Sequence, residues 1–277
     1  MGEFDLIRRF FQRPAAEGVE VGVGDDCAVL VPTPGARWLV SSDMLVEGRH
    51  FLSTVDPARL GHKALAVNLS DLAACGATPR GFTLALALPR VDEAWLAGFA
   101  SGLWALADAS GCPLIGGDTT QGPLNLCITV FGEAPPGQAL LRSGARVGDE
   151  IWVSGRLGDA RLALEVFRGT VALGGSDFER VRAAMECPTP RLALGQALRG
   201  VATAALDISD GLLGDLGHIL AASKVGARLD VDAMPRSAVL AAQAAELQRT
   251  CLLAGGDDYE LVFTAPPARA CRTSACR

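Results

Sequence analysis

Aspartates recur beside small residues at six places in the 277-residue chain, mostly where apolar runs end. The segments are Gly24-Asp25-Asp26, Ser41-Ser42-Asp43, Asn68-Leu69-Ser70-Asp71, Gly116-Gly117-Asp118, Asp207-Ile208-Ser209-Asp210 and Gly255-Gly256-Asp257-Asp258. One Gly-Asp pair is typical of an ordinary turn. Ligand sites in α/β proteins gather at strand ends, so six such segments together indicate a polar binding site.

Asp71 interrupts the most apolar of these surroundings, a predicted helix through residues 64–74. Asn68 lies three residues earlier and therefore shares a helix face with Asp71. A carboxylate on a largely buried helix needs a cation or several hydrogen-bond donors. Two interpretations stay open: a metal ligand, or a structural carboxylate bonded to backbone N–H groups or a neighbouring cap.

Convergence of these carboxylates would require cations. The candidates for one shared site are Asp26, Asp43, Asp71, Asp118 and Asp207. Two unit charges about 4 Å apart repel by about 4 kcal/mol at an effective dielectric constant of about 20. An all-oxygen ligand set without His or Cys suits Mg²⁺, which usually shares its coordination with substrate phosphates. The sequence therefore predicts a magnesium-dependent phosphate site.

Composition and motifs exclude several other classes of function. A formal net charge of -6 disfavours a nucleic-acid partner. No apolar run approaches the roughly 20 residues of a membrane span and no signal peptide is recognisable, so we expect a cytoplasmic protein without a membrane partner. Eight cysteines without a CxxC and three scattered histidines argue against zinc and disulfides. The P-loop, dinucleotide and protein-kinase motifs are also missing from the sequence.

Two basic side chains could contact a phosphorylated ligand. Arg142, followed by Ser143 and Gly144, could make a forked contact with phosphate oxygens. His50 could contact a substrate. Each also fits an ordinary surface loop, and that alternative stays open.

Apolar periodicity predicts the elements that position these residues. In the first half we expect strands at 19–23, 27–31, 38–40, 81–88, 114–115 and 124–131, with helices at 57–75 and 92–110. In the second half we expect strands at 151–154, 203–207, 227–231 and 259–264, with helices at 158–168, 177–186, 190–199, 210–223 and 236–248.

Pro135-Pro136 fits poorly inside either kind of element and marks a domain boundary. We expect an α/β domain over 1–138 and an α+β domain over 139–277. Residues 266–277 lack any periodicity after a strong strand signal. We therefore expect the second domain to be incomplete at its end, through truncation or a disordered tail.

Taken in order from residue 2 to 264, the motifs closely resemble the thiamine-monophosphate kinase family, within the superfamily of aminoimidazole ribonucleotide and selenophosphate synthetases. The resemblance rests on the segments 22–28, 42–51, 63–74, 116–120, 207–212 and 256–261. It implies a two-domain fold like that of aminoimidazole ribonucleotide synthetase, with α/β and α+β parts. It also implies that the first domain binds ATP and metal and that the first domains pair to form a homodimer.

The resemblance also implies an activity: direct in-line transfer of the ATP γ-phosphoryl group to thiamine monophosphate, with several Mg²⁺ ions and ATP as co-substrate. No dedicated base is expected, because the attacking phosphate oxygen is already anionic. Matching metal positions are Asp26, Ser41, Ser42, Asp43, Asp71, Asp118, Asp207 and Asp210; matching ATP positions are Gly117, Asp118, Arg142 and Ser209. His50 and Asp257 match substrate contacts, and the family commonly has Glu where Asp257 stands.

Two alternatives stay open beside the kinase. One is a sister ATP-dependent synthetase that acts on another small acceptor. The other is a nucleotide-binding protein that is inactive because its C-terminus is truncated.

Overall fold

A computed structural model describes residues 2–267 of the chain. The expectation of an incomplete second domain falls largely on residues 268–277, which lie outside the described residues. The chain divides into two compact units. The first contains the residues up to Leu72 together with Ala77–Gly137, and the second contains Ala73–Gly76 together with the residues from Gln138 onward. Within the described part, no helix is both long and apolar enough to cross a membrane.

The first unit is built around a four-stranded sheet in the order β3-β6-β4-β5. Its elements are α1 (Glu3–Leu6), a π-helical turn (Ile7–Phe11), β1 (Val19–Val21), β2 (Val29–Leu30), β3 (Arg37–Val46), α2 (Pro57–Ala74), β4 (Thr78–Leu88), α3 (Glu93–Ser110), β5 (Leu114–Gln121) and β6 (Asn125–Ala134). Strands β4 and β5 are parallel, whereas β6 is antiparallel to both of its neighbours. Strands β3 and β5 are therefore the two edges of this sheet.

Helix α2 is the buried helix that the sequence predicts. Asp56 caps its start, because Oδ1 accepts the N–H of Ala58 at 2.9 Å. Leucines at successive turns are fully buried. Helices α2 and α3 touch backbone to backbone, since a Cβ atom on Gly102 would lie 1.8 Å from the carbonyl oxygen of Ala58. The side chains on α2 therefore start from a rigid support.

Strand β3 has two unlike faces. Leu39, Ser41, Asp43 and Leu45 are buried or half-buried and alternate with an exposed row along the strand. The apolar members of that exposed row are between 37% and 58% exposed, and they are Trp38, Val40, Met44 and Val46. An edge strand thus presents an apolar row to solvent.

The second unit contains a three-stranded antiparallel sheet in the order β7-β9-β8. Its elements are β7 (Glu150–Val153), α4 (Asp159–Phe167), α5 (Gly175–Glu186), α6 (Leu192–Ala197), β8 (Ala204–Asp207), α7 (Leu212–Ser223), α8 (Ala238–Ala241), α9 (Ala245–Ala254) and β9 (Leu261–Ala265). Helices α4, α5, α7 and α9 share one apolar core with β8 and β9. The short loop from β8 to α7 carries Ser209 and Asp210.

Several predicted elements differ from the structure. Residues 227–231 form no strand, and the Arg236 guanidinium donates to the carbonyl oxygens of Val231 and Asp232, so a side chain satisfies acceptors near the end of that segment. The helix predicted at 236–248 is broken into α8 and α9, and Gln248 bonds the carbonyl oxygen of Gln243 at the break. Helix α7 starts at Leu212 instead of residue 210.

Two of the candidate aspartates lie inside strands instead of at strand ends. Asp43 belongs to the interior of β3, and Asp118 belongs to the interior of β5. In both strands, small and polar residues continue the backbone pairing beyond the apolar run that predicts the strand. Both side chains are thereby fixed by regular sheet geometry.

The close contact between α2 and α3 predicts opposite effects for two Gly→Ala changes in helices. Gly102→Ala should lower the free energy of unfolding by about 2 kcal/mol, because overpacking outweighs the gain in helix propensity. Gly217→Ala in α7, where an added Cβ meets nothing within 4 Å, should raise it by about 0.5–1 kcal/mol. Urea unfolding followed by circular dichroism measures both. A Gly102→Ala protein as stable as the wild type would contradict the close contact.

Candidate active site

Asp43 and Asp71 form a carboxylate pair at the β3 edge of the first unit. Asn68 on α2 accepts the N–H of Asp43 through Oδ1 at 3.0 Å and donates through Nδ2 to the carbonyl oxygen of Ala64 at 3.0 Å. Ser41 donates its hydroxyl proton to Oδ2 of Asp71. The predicted pairing of Asn68 and Asp71 on one helix face is confirmed, and both residues bond to neighbouring positions of β3.

The electrostatics of this pair fit a cation. Burial, followed by the charge of the nearby Asp71 carboxylate, raises the pKa of Asp43 to about 6. Two close carboxylates that share a half-buried site repel each other, and a bound divalent ion would remove that repulsion. The hard oxygen donors of Asp43 and Asp71 suit Mg²⁺.

Ser42 does not join this pair through its side chain. It lies on the exposed face of β3, opposite to Ser41 and Asp43, because side chains alternate along a strand. Its hydroxyl lies 3.0 Å from that of Thr129 and donates to the carbonyl oxygen of Ile128. The run Ser41-Ser42-Asp43 therefore divides between the two faces of the sheet.

Asp26 and Asp118 lie at the other edge of the same sheet. They line a cavity of about 480 Å³ between the acidic loop that follows β1 and edge strand β5. Gly117 approaches β4 so closely that a Cβ atom there would lie 1.9 Å from the carbonyl oxygen of Leu84, and its φ is 144°. Only glycine fits this position, because the backbone of β4 fills the space that a side chain would need.

The two acidic groups of the first unit stay apart in a single chain. The register across β6 and β4 places Asp43 in the row of Gly117 and Met44 in the row of Asp118, three strand spacings or roughly 14 Å away. Asp118 therefore lies on the same solvent-exposed face of the sheet as Met44, which we call the open face, whereas Asp43 lies on the opposite face. Of the five carboxylates expected to converge, the four in the first unit thus form two groups. Among residues 2–267, no three His, Cys, Asp or Glu side chains form a metal-ligand group.

The loop from β8 to α7 holds the candidate residues of the second unit. Asp207 is buried at the end of β8, while Ser209 and Asp210 expose their side chains. One oxygen of Asp215, Oδ2, accepts the backbone N–H groups of Ser209, Asp210 and Gly211 at 3.0, 3.1 and 3.0 Å. The sequence prediction missed Asp215. An acidic residue in the first turn of the helix after Ser-Asp-Gly was the available signal.

Asp257 lies on a segment with unusual backbone geometry beside this loop. Gly256, Asp257 and Tyr259 have φ values of 72°, 59° and 50°. The N–H of Asp257 donates to the carbonyl oxygen of Ser209 at 2.8 Å, and the Tyr259 hydroxyl donates to Oδ1 of Asp257 at 3.2 Å. Positive φ at two residues other than glycine is costly and is often found at functional sites.

Arg142 lies at the far end of α7 from this loop. Its carbonyl oxygen accepts the hydroxyl of Ser223, in the last turn of the helix, at 3.2 Å. A helix of 12 residues is about 18 Å long. The backbones of Arg142 and Ser209 therefore lie near opposite ends of α7.

His50 lies in the exposed turn that follows β3. Its Nδ1 accepts the N–H of Val46 at 3.0 Å, so neutral His50 carries its proton on Nε2. His50 is exposed, so its Nε2–H can donate to an acceptor such as a phosphate oxygen.

Sequence comparisons match each half of the chain to a known domain family. Residues 24–134 match the AIR synthase related protein, N-terminal domain, and residues 146–273 match the corresponding C-terminal domain. Thiamine-monophosphate kinase of Salmonella typhimurium is 49% identical over 269 residues, which are 96% of this chain and 83% of that relative. The Escherichia coli K12 protein of the same name is 47% identical with the same coverage.

Solved structures show the same relationship. A thiamine-monophosphate kinase from Stenotrophomonas maltophilia superposes with a TM-score of 0.87 at 47% identity, over 91% of this chain and 82% of that one. AaThiL complexed with AMPPCP and TMP has a TM-score of 0.79 at 30% identity, over 86% and 78%. The hydrogenase maturation protein HypE, at 20% identity and a TM-score of 0.77, shares the fold. The chain belongs to the thiamine-monophosphate kinase family.

Proposed function

We propose that this chain uses ATP to phosphorylate thiamine monophosphate, giving thiamine diphosphate and ADP. The observation that carries the proposal is the Asp43–Asp71 pair, two carboxylates held close together on rigid elements of a chain with this family membership. A relative at 30% identity has been solved with AMPPCP and TMP, one ligand for each side of such a reaction. Neither alternative from the sequence has an observation of its own in its favour.

We propose Mg²⁺ as the cation of this site. Asp43 and Asp71 would hold it, and phosphate oxygens and water would complete the coordination, because the protein supplies fewer ligands than an octahedral ion requires. Bound there, the cation would neutralise phosphate charge. Asn68 fixes the position of Asp43 through the backbone N–H, and the hydroxyl of Ser41 orients the Asp71 carboxylate.

The remaining predicted residues would bind and orient the two phosphorylated substrates. Gly117 and Asp118 line the cavity beside the acidic loop, where a phosphate group of ATP would lie. Ser209 and Asp210 present exposed oxygen ligands, with buried Asp207 behind them. His50 and Asp257 would contact thiamine monophosphate.

These groups would act by positioning the substrates and neutralising charge. No side chain has to remove a proton, since the attacking phosphate oxygen is anionic and the transition state is largely dissociative.

We also propose that the chain forms a homodimer through the open face of the sheet in the first unit. The apolar row of Trp38, Val40, Met44 and Val46 supports this, because an uncovered edge strand of this kind invites pairing with another chain. A second copy would cover the same row on both partners. The cytoplasmic location remains a prediction from the sequence.

Asp71→Asn tests the carboxylate pair. It preserves shape but removes one negative ligand, so we expect the rate of thiamine diphosphate formation from ATP, Mg²⁺ and thiamine monophosphate to fall about 100-fold. The control is Asp108→Asn on α3, whose exposed carboxylate pairs with Arg13 and which should keep the wild-type rate. A wild-type chain that turns over ATP only with another acceptor, or an Asp71→Asn protein at full rate, would contradict the proposal.

Val40→Asp tests the dimer. A charge in the middle of the apolar row should convert the protein to a monomer, as measured by sedimentation velocity. Val147→Asp changes a loop residue that is 94% exposed in the second unit and should leave the dimer intact. If the wild type sediments as a monomer at micromolar concentration, this interface does not form.

A further inference from the structure

Asp215 is a buried carboxylate that binds the backbone of the β8–α7 loop. It lies in the first turn of α7 and is 4% exposed. Its Oδ2 atom accepts three consecutive backbone N–H groups, from Ser209 to Gly211. Burial raises the pKa of this carboxyl, while the three donated hydrogen bonds act in the opposite direction. At 4% exposure it is too deeply buried to present itself to a ligand in solution.

Three bonds to one oxygen determine how the loop is oriented. Because the N–H groups of Ser209 and Asp210 point inward to Asp215, their side chains face outward, and both side chains are exposed. Gly211 is the N-cap of α7 and has no side-chain hydrogen bond; Asp215, in the first turn of α7, reaches back to accept its backbone N–H, as the acidic residue of a capping box does. Charged hydrogen-bond acceptors are the stronger kind, and a loop held by three such bonds has little freedom.

The opposite side of the loop is held by backbone contacts. The carbonyl oxygens of Ile208 and Ser209 accept the N–H groups of Tyr259 and Asp257, each at 2.8 Å. A Cβ atom on Gly256 would lie 2.8 Å from the carbonyl oxygen of Ser209. Carbonyl groups are thus fixed by the 256–259 segment and N–H groups by Asp215. Removal of Asp215 would free only the N–H side.

We propose that Asp215 is the positioning residue that holds Ser209 and Asp210 in the orientation that binds Mg-ATP. The inference rests on the proposed function, in which this loop contacts ATP and metal. Asp215 itself touches neither. It would affect ligand binding only through the loop, to which it makes three direct hydrogen bonds at backbone N–H groups.

Asp215→Ala tests the proposal by two measurements that do not need turnover. Titration calorimetry with Mg²⁺ and AMPPCP should show Kd raised at least about tenfold, because three charge-assisted bonds are lost. Hydrogen exchange should become at least about tenfold faster at the amides of Ser209, Asp210 and Gly211, while β8 keeps its protection.

Asp215→Asn provides partial rescue and a second test should the alanine variant fail to fold. Its amide oxygen can still accept these N–H groups without charge, so Kd and exchange rates should lie between wild type and Asp215→Ala, about threefold above wild type. The matched control is Leu216→Ala, which removes packing from the next buried residue of α7 and should keep the wild-type Kd.

The outcomes separate the inference from the function on which it rests. Wild-type Kd in both Asp215 variants, or an equal loss in Leu216→Ala, would overturn the positioning role. Ser209→Ala and Asp210→Asn, titrated with the same analogue, report on the loop itself. If these two variants bind the analogue as the wild type does, the proposed ATP role of the loop fails. If they bind it more weakly while Asp215→Ala keeps the wild-type Kd, only the positioning role of Asp215 is refuted.

Discussion

Repulsion between carboxylates that are held close together is the constraint on which this molecule depends. Asp43 and Asp71 cannot both carry a bare charge at low cost, because burial and, after it, the charge of Asp71 raise the pKa of Asp43. The fold nevertheless keeps them together, with Asn68 and Ser41 bonded to the pair. A bound cation would remove this repulsion, so the site favours a ligand that brings positive charge, such as Mg²⁺ with phosphate.

Such a site needs supports that do not yield. Helix α2 is one rigid support, because its backbone touches α3 at Gly102 and close-packed interiors are hard to compress. Edge strand β3 is the other support, and the alternation of its side chains places Asp43 on the half-buried face. In the second unit, hydrogen bonds to a loop hold the candidate side chains in place. There, Asp215 and the 256–259 segment hold opposite sides of one loop, so that Ser209 and Asp210 stand exposed at fixed orientation.

Local chemistry made much of this predictable from sequence. The cap at Asp56, the apolar periodicity of α2 and the spacing of Asn68 and Asp71 identify a buried helix with a polar face, and the structure confirms them. Long-range pairing was not predictable. Strand order and register separate Asp43 from Asp118, and no local pattern encodes either of them. The strand predicted at 227–231 was wrong, and Arg236, a side chain outside the segment, bonds the carbonyl oxygen of its last residue, Val231.

The central claim is that Asp43 and Asp71 hold the divalent cation of a thiamine-monophosphate kinase. A crystal structure of the protein with Mn²⁺, AMPPCP and thiamine monophosphate tests it directly, because Mn²⁺ prefers the oxygen ligands of Mg²⁺ and its anomalous scattering locates the ion. The account predicts an anomalous peak about 2.2 Å from oxygens of both carboxylates and of a phosphate. Bound nucleotide with its ion elsewhere, and no peak between Asp43 and Asp71, would contradict it.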